Sequence, residues 1–307
     1  MEKIVFASLF IIFFISCNKD PLVFCEKSKC EMTAIFPGVI EISNKSERNY
    51  FILQNSSLNK IDLPDNNTIP FAFSSDMKLM AAKTSQESSI KLNIFDYPEE
   101  KVKKTVDLPE NFVSIQSGCF LNDLRLAFLH VDETEDLARK YTISISTSPE
   151  LNDFDSYLIK EENSKEFMSE YLSLGSVVER PVSIQCSGNK LFLITDSIFS
   201  DMIQVTVYNF NIEKRSLEYI TAYHPVKPDS KINMFFNAGD STLYIFDKRE
   251  LISVKENFFP ISRKFNESGS LFFSPFTKSG FLMSFFPDKT TDKKKAFRII
   301  NIGELPE

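Results

Sequence analysis

The stretch that decides the fold is Val182-Ser-Ile-Gln-Cys-Ser-Gly-Asn-Lys-Leu-Phe-Leu-Ile-Thr-Asp196. It predicts a short strand, a polar turn and a second strand with a more continuous apolar run. A similar stretch precedes it, Val113-Ser-Ile-Gln-Ser-Gly-Cys-Phe-Leu-Asn-Asp-Leu-Arg-Leu-Ala-Phe-Leu129, and the two Ser-Ile-Gln triplets are 69 residues apart. The repeated β-hairpin indicates that the chain is an array of sheet units.

Six such units are predicted from Met32 onward. Each has a nearly continuous apolar strand, which is typical of strands covered on both faces, and then a strand with more alternation. The apolar strands are expected at 50–53, 78–82, 124–129, 191–194, 243–246 and 281–286, and the alternating ones at 91–95, 141–146, 203–208 and 297–302. Six units in about 270 residues fit a β-propeller, whose blades take roughly 40–50 residues each.

The polar turns between paired strands, such as Ser74-Ser-Asp-Met-Lys78, resemble those of the TolB-like and WD40-like propeller repeat. The resemblance implies an all-β fold, a β-propeller of six or seven blades at residues 32–305. A β-sandwich or two small β domains are the alternative. Ring closure would need the segment near Val39-Ile-Glu-Ile42 to help complete the last blade, because no clear fourth strand follows Ile302.

One short inserted helix is predicted at Asn163–Leu174. It begins at a capping Asn with a Glu three residues later, and it ends before Gly175. Its apolar face is expected to cover the propeller edge, and a role in partner contact is the alternative.

The amino terminus predicts export. A twelve-residue, mostly apolar run, Ile4–Ile15, follows Met1-Glu-Lys3 and is too short to span a bilayer as a helix. Phe14-Ile-Ser-Cys17 resembles the lipobox of bacterial lipoproteins. The resemblance implies a lipoprotein signal peptide at 1–16, lipidation of Cys17 and a lipid-anchored tether at 17–31. An ordinary signal peptide with an unrelated cysteine is the alternative.

The lipoprotein resemblance also bears on location. Asn18, rather than Asp, follows the cysteine, which implies passage to the outer membrane, with a periplasmic or surface-facing domain. Four cysteines remain after Cys17, and an oxidising compartment favours disulfides. The preferred pairs are Cys25 with Cys30 and Cys119 with Cys186, because the latter two occupy similar places in successive units. Other pairings and free buried thiols remain open.

Composition excludes several classes of protein. The chain has 35 basic and 42 acidic residues, so nucleic acid is not an expected partner. It contains no Trp and only 8 Gly, which removes the Trp-Asp signature of WD40 blades and leaves little material for a phosphate-binding loop. No cofactor is expected. A zinc site is disfavoured because there are only two histidines, neither at ligand spacing from a Cys.

One acidic stretch follows the second strand of the third unit, directly after His130. Oxygen-rich loops of this kind can bind calcium, so its carboxylates form a weak candidate metal site. They are Asp132, Glu133, Glu135 and Asp136. Solvated loop residues are the simpler interpretation, because no glycine supports a tight coordinating turn.

Catalysis is not indicated by any motif. The chain has no Gly-x-Ser-x-Gly elbow, and His130 would have to meet a serine and a carboxylate across the fold. Gln116 and Gln185 are expected to fill hydrogen bonds near the inner strands or to line the opening. The basic run Lys289–Lys295 is most simply a solvated hairpin tip, with contact to anionic headgroups or polymer as the alternative.

The sequence therefore predicts a lipid-anchored cell-envelope protein. Its propeller is expected to bind a protein or envelope polymer without catalysis, since loops on rigid scaffolds commonly carry recognition. The alternative is a secreted hydrolase or lyase acting in the propeller opening, and a purely structural envelope component is a third possibility.

Overall fold

The structure, a computed structural model, describes the chain in segments separated by gaps. They are residues 23–26, 31–36, 39–43, 48–54, 57–86, 89–99, 101–108, 112–133, 138–162, 178–199, 202–226, 233–239, 241–247, 250–255, 260–264, 270–274, 279–287 and 294–303. Within these segments every regular element is a β-strand. The predicted helix at 163–174 lies outside the described residues.

Five blades are each built from four consecutive antiparallel strands. Blade 1 comprises β2 (Glu31–Phe36), β3 (Val39–Ser43), β4 (Arg48–Gln54) and β5 (Ser57–Ile61), and blade 2 comprises β6 (Thr68–Phe73), β7 (Leu79–Gln86), β8 (Ser89–Asp96) and β9 (Lys101–Asp107). Blade 3 comprises β10 (Phe112–Phe120), β11 (Leu126–Glu133), β12 (Arg139–Ser146) and β13 (Phe154–Glu162). Blade 4 comprises β14 (Val178–Ser187), β15 (Lys190–Phe199), β16 (Met202–Asn211) and β17 (Ser216–Val226), and blade 5 comprises β18 (Asn233–Asn237), β19 (Thr242–Asp247), β20 (Glu250–Lys255) and β21 (Ile261–Lys264).

A further four-stranded sheet is composite, and we call it the closing sheet. It contains β22 (Ser270–Ser274), β23 (Ser279–Pro287) and β24 (Lys294–Gly303), with the amino-terminal strand β1 (Val23–Glu26) paired antiparallel to β24. Strand β22 contacts both β2 of blade 1 and β18 of blade 5, which joins the two ends of the array. The ring is therefore closed by a strand from each end of the chain.

The predicted blade count of six or seven has to be corrected. The described strands form five blades of consecutive strands plus the composite closing sheet, and no strands remain for a seventh. The strand that completes the closing sheet was also misassigned. Val39–Ser43 is the second strand of blade 1, and Val23–Glu26, within the segment predicted to be a tether, completes the ring instead. A single ring of sheets excludes the sandwich and two-domain alternatives.

The core lies between adjacent blades rather than inside one sheet. Each middle strand is buried on both faces, because alternate residues point to the preceding and the following blade. On β11, Leu126 and Phe128 pack with blade 2, whereas Ala127 and Leu129 pack with blade 4. This double burial explains the nearly continuous apolar runs in the second strands.

The innermost strands approach one another closely. A Cβ atom at Gly118 of β10 would lie 2.5 Å from Cε2 of Phe71 on β6, so only glycine fits there. Side chains also join neighbouring blades. Ser117 Oγ accepts a hydrogen bond from the Ile184 amide at 2.8 Å, and Gln185 Oε1 accepts one from the Phe236 amide at 2.9 Å. Buried backbone groups that lack a strand partner are satisfied in this way.

Candidate functional site

The two ends of the propeller differ in chemistry. We define the upper end as the end at which the inner strands β2, β6, β10, β14, β18 and β22 begin. In blades 1 to 4 many of the buried and half-buried ionisable groups lie near this end. Among them are Glu41, Tyr50, Lys83, His130, Asp132, Tyr141, Glu162, Glu179, Arg180 and Asp196. At the lower end the interior is apolar around Phe120, Leu121 and Phe210, and most charged residues lie in exposed turns.

A disulfide fastens the lower end of the seam between blades 3 and 4. Cys119 of β10 and Cys186 of β14 are bonded, with 5.6 Å between their Cα atoms and 67 residues of sequence separation. The bond joins two inner strands. Cys25 lies in β1 without a described side chain, and Cys30 and Cys17 lie outside the described residues.

His130 lies in a line of hydrogen bonds across blade 3. Its Nδ1 is 3.1 Å from Oδ1 of Asp132, and its Nε2 is 2.9 Å from Oγ of Ser144. Ser144 Oγ is in turn 2.8 Å from Oγ of Ser156. Phe112 stacks on the imidazole with ring centroids 4.7 Å apart. In the neutral imidazole, Nδ1 donates to the carboxylate and Nε2 accepts from the Ser144 hydroxyl, which is the connectivity of an acyl-transfer triad.

Burial argues against catalysis by this line. Ser144 is 3% exposed and His130 is 6% exposed, so a substrate carbonyl has no approach to the serine oxygen. Blade 2 carries a comparable line on its second, third and fourth strands, in which Asn93 donates to Thr84 and accepts from Thr105 at 2.8 and 2.7 Å. That line contains no acid or base. We infer that both lines satisfy buried polar groups between blades.

The upper end of the seam between blades 3 and 4 holds a cluster of charges. Glu162 is 10% exposed, accepts a hydrogen bond from the Tyr141 hydroxyl at 3.3 Å and lies 3.6 Å from Lys160 Nζ. Lys160 also donates to the backbone oxygen of Glu179 on blade 4. Burial, and then the charge of Glu162, raise the pKa of Tyr141. The cluster therefore joins blades 3 and 4 at their upper end, whereas the disulfide joins them at their lower end.

Blade 4 contributes the other half of this cluster. Arg180 binds Asp196 in a bidentate ion pair, with Nε–Oδ1 and Nη2–Oδ2 distances of 3.0 and 2.9 Å. These bonds raise the pKa of Arg180 above its usual value. Thr195 donates to Glu179. Burial, and then a hydrogen bond to Glu179, raise the pKa of Tyr208 to about 12. Most of these charges are paired, as expected for partly buried ions.

A lysine with an unusual environment lies on blade 2. Lys83 Nζ donates to the backbone oxygen of Ile115 at 3.2 Å, next to a register shift in β10. Burial, and then the charge of Arg48 on blade 1, lower the pKa of Lys83. Ile115 is paired with His130 and the register shifts directly after it, so the lysine binds a carbonyl at the edge of this irregularity.

The central opening is surrounded by neutral strands. Apart from Glu31, Glu179 and Arg180 at the upper end, the six inner strands carry no charged residue and no histidine. Gln116 is exposed at the register shift of β10, and its amide donates to Ser114 Oγ at 3.1 Å. Gln185 is buried and bonds to β18. One of the two predicted glutamines therefore lies exposed beside the opening, and the other links blades.

The candidate calcium ligands are only partly described. Asp132 contacts His130, Glu133 ends β11, and Glu135 and Asp136 lie outside the described residues. Among the described residues no group of three or more His, Cys, Asp or Glu side chains could hold a metal ion. Calcium binding therefore stays a prediction. Across all the segments that the structure describes, no helix is long and apolar enough to cross a membrane.

The sequence did not predict the two side-chain contacts within blade 3 that hold His130 and Glu162. Residues 14 positions apart meet in the His130–Ser144 contact, and residues 21 positions apart meet in the Tyr141–Glu162 contact. The signal that could have identified them is the strand register, which depends on where each turn and register shift occurs.

Comparison with known proteins shows similarity of the fold alone. No protein family matches the chain, and no curated protein sequence matches it. A putative gluconolactonase matches with a TM-score of 0.50 at 10% identity, covering 92% of this chain and 96% of that one. TolB from Acinetobacter baumannii matches with a TM-score of 0.48 at 10% identity, and an oligogalacturonate lyase in complex with manganese with 0.47 at 13%. The matches cover 91% of this chain and 65% of that TolB, and 88% of this chain and 74% of that lyase.

These neighbours have different functions, and structural similarity at sequence identities this low does not show that an activity is shared. The chain is therefore a β-propeller with TolB among its structural neighbours.

Proposed function

We propose that this protein is exported, anchored by a lipid on Cys17, and binds a protein or envelope polymer through the upper end of its propeller without catalysis. The observation that carries the proposal is the contrast between the two ends. Buried and half-buried ionisable groups of blades 1 to 4 gather at the upper end, whereas at the lower end the charges of the turns, such as Lys78, are exposed, and a disulfide links blades 3 and 4. Polar groups fixed on rigid strands can give directional contacts to a ligand.

Two features support binding rather than turnover. The inner strands place no carboxylate or histidine beside the opening below its upper end. In the Asp132–His130–Ser144 line of blade 3, His130 and Ser144 are buried, so the serine oxygen lacks access to substrate. A hydrolase or lyase acting in the opening therefore has no described catalytic group in position.

Photo-crosslinking in intact cells tests binding at the upper end. A photoreactive residue is placed at exposed Asn66 or Glu133, both at the upper end, and at exposed Ser75 or Glu213 in lower turns as matched controls. We expect the upper positions to yield a common crosslinked species and the lower positions to yield none. Crosslinks only from the lower positions, or no crosslink from any position, would overturn the proposal.

Lipid labelling tests the anchor separately. The mature protein should incorporate a labelled fatty acid and fractionate with membranes, and Cys17→Ser should lose the label. Protease treatment of intact cells then separates the two orientations, since a surface-facing propeller is digested and a periplasmic one is protected. An unlabelled parent protein would contradict lipid anchoring while leaving the crosslinking result intact.

A further inference from the structure

Two buried polar atoms at the upper end lack a hydrogen-bond partner. Among the side chains that the structure describes, they are Oε1 of Glu162 and the hydroxyl of Tyr50. Tyr50 lies on β4 of blade 1, near Glu41 and Arg48, and Glu162 is the last residue of β13 in blade 3. Buried polar atoms in native proteins are nearly always hydrogen-bonded, so each exception needs a physical reason. The fold leaves both atoms at the end that we propose for binding.

The Glu162 carboxylate is the more demanding of the two groups, because it is an ion. Its side chain is 10% exposed, and its Oε2 accepts a hydrogen bond from the Tyr141 hydroxyl at 3.3 Å. Lys160 Nζ lies 3.6 Å from Oε1, beyond hydrogen-bond distance, and donates instead to the backbone oxygen of Glu179. A buried carboxylate is costly unless it is both paired and hydrogen-bonded. Glu162 therefore has a charge partner and keeps one acceptor oxygen free.

A second carboxylate, that of Glu179, lies on blade 4 at the same seam. It accepts hydrogen bonds from the hydroxyls of Thr195 and Tyr208, and Tyr208 packs against the core between blades 3 and 4. Both donors are neutral. Each blade therefore brings one carboxylate to the upper part of this seam, and Lys160 lies between the two strands that carry them.

The other described cations nearby do not satisfy Glu162 Oε1. Arg180 directs two of its nitrogens to Asp196. Arg139 lies opposite Glu162 in the strand register, but it is exposed, and no described hydrogen bond joins it to Oε1. Because Glu162 ends its strand and the neighbouring Lys160 is 30% exposed, the free oxygen lies close to the upper surface.

We infer that the upper part of the seam between blades 3 and 4 binds a basic side chain of a protein partner, whose cationic nitrogen donates to Glu162 Oε1. The inference rests on the proposed function and describes its partner more closely. Charge-assisted N–H···O bonds are about twice as strong as neutral ones, so a lysine ammonium or arginine guanidinium suits this oxygen better than a hydroxyl does. Glu179 adds attraction, because its own donors carry no charge.

An NMR titration tests the site. The isotope-labelled full mature chain with Cys17→Ser is titrated with a glycine-rich peptide carrying one lysine, and with the same peptide carrying acetyl-lysine. We expect the amide signals of Glu162 and Glu179 to shift with the lysine peptide and not with the acetylated one. Glu162→Gln should weaken the binding about tenfold, because a hydrogen bond to a charged group is lost. No shift at Glu162, or equal responses to the two peptides, would overturn the inference.

The matched control variant is Glu161→Gln. The Glu161 side chain leaves the opposite face of β13, is 48% exposed and pairs with Lys140, and its replacement changes the net charge equally. This variant should bind the lysine peptide like the parent. Equal weakening in both variants would show only a general attraction to an acidic protein and would sink the site. If Glu162→Gln does not fold, the position of the shifts in the parent decides.

Photo-crosslinking from Asn66 and Glu133 in cells measures the proposed function separately. Crosslinks from these positions without a response to the lysine peptide would remove this site and leave binding at the upper end in place. Where crosslinks form, Glu162→Gln should reduce their yield and Glu161→Gln should not. An unchanged yield in Glu162→Gln would contradict the inference.

Discussion

Removal of the Cys119–Cys186 disulfide should lower the stability of the propeller by about 4 kcal/mol. The bond closes a loop of 67 residues between the inner strands of blades 3 and 4. In the chain-entropy description, a cross-link of that length removes conformational freedom from the unfolded chain worth about 4 kcal/mol at 25 °C. Both cysteines also pack beside Ile184 and Leu121 in the seam between these blades, so alanine replacement keeps the apolar surroundings.

The assay is urea unfolding of the Cys119→Ala/Cys186→Ala variant, followed by far-ultraviolet circular dichroism because the chain has no Trp. The midpoint should fall without a large change in slope, and thermal unfolding should shift by roughly 10 °C. Reduction of the parent should reproduce the variant. A difference below about 1 kcal/mol would refute the reasoning that this cross-link constrains the unfolded chain. A further loss on reducing the variant would come from another disulfide, for which the predicted Cys25–Cys30 pair is the candidate.

Three other changes test the packing and the buried groups. Gly118→Ala should destabilise by about 1–3 kcal/mol, measured by urea unfolding, because the added methyl group meets the Phe71 ring at 2.5 Å. Tyr208→Phe should reduce unfolding in alkali. Burial raises the pKa of Tyr208 to about 12 in the folded protein, so above pH 10 the tyrosine ionises first in the unfolded chain and the parent loses stability. His130→Phe should cost about 1–3 kcal/mol in the same urea assay by leaving the buried Ser144 hydroxyl without its imidazole partner.

Each change has a matched control. Gly239→Ala meets only Asn237 Oδ1 at 3.4 Å and should be close to neutral, so equal costs at both glycines would contradict the close approach at Gly118. For Tyr208→Phe the control is the same variant at pH 7, where it should lack the gain over the parent that it shows above pH 10. Ser156→Ala removes the exposed end of the blade 3 line and should cost less than His130→Phe. The reverse order would contradict the structural role of His130.

The sequence predicted the repeating hairpins well because burial on two faces leaves a strong local pattern. Five of the six predicted apolar strands are second strands of their sheets, at β7, β11, β15, β19 and β23. The exception was 50–53, which lies in the third strand of blade 1, since the short β3 preceding it was assigned to ring closure.

The sequence did not predict which strands pair when they are far apart in the chain. The four residues of β1 lie in the segment 17–31 that the sequence predicts to be a tether, because a strand that short has no periodicity of its own. Its partner is more than 260 residues away in the chain, and the pairing depends on the closed ring. The upper-end contacts of His130 and Glu162 likewise follow from register, which no local pattern specifies.

The central claim is that the upper end is the binding face, and lysine labelling in intact cells tests it most directly. Lys60 and Lys140 lie at the upper end and are 55% and 37% exposed, whereas Lys78 and Lys214 lie in exposed lower turns. Labelling of each residue is compared between cells and the purified protein by mass spectrometry. The account predicts that Lys60 and Lys140 lose reactivity in cells while Lys78 and Lys214 keep it. Protection of the lower turns with an unprotected upper end would contradict it.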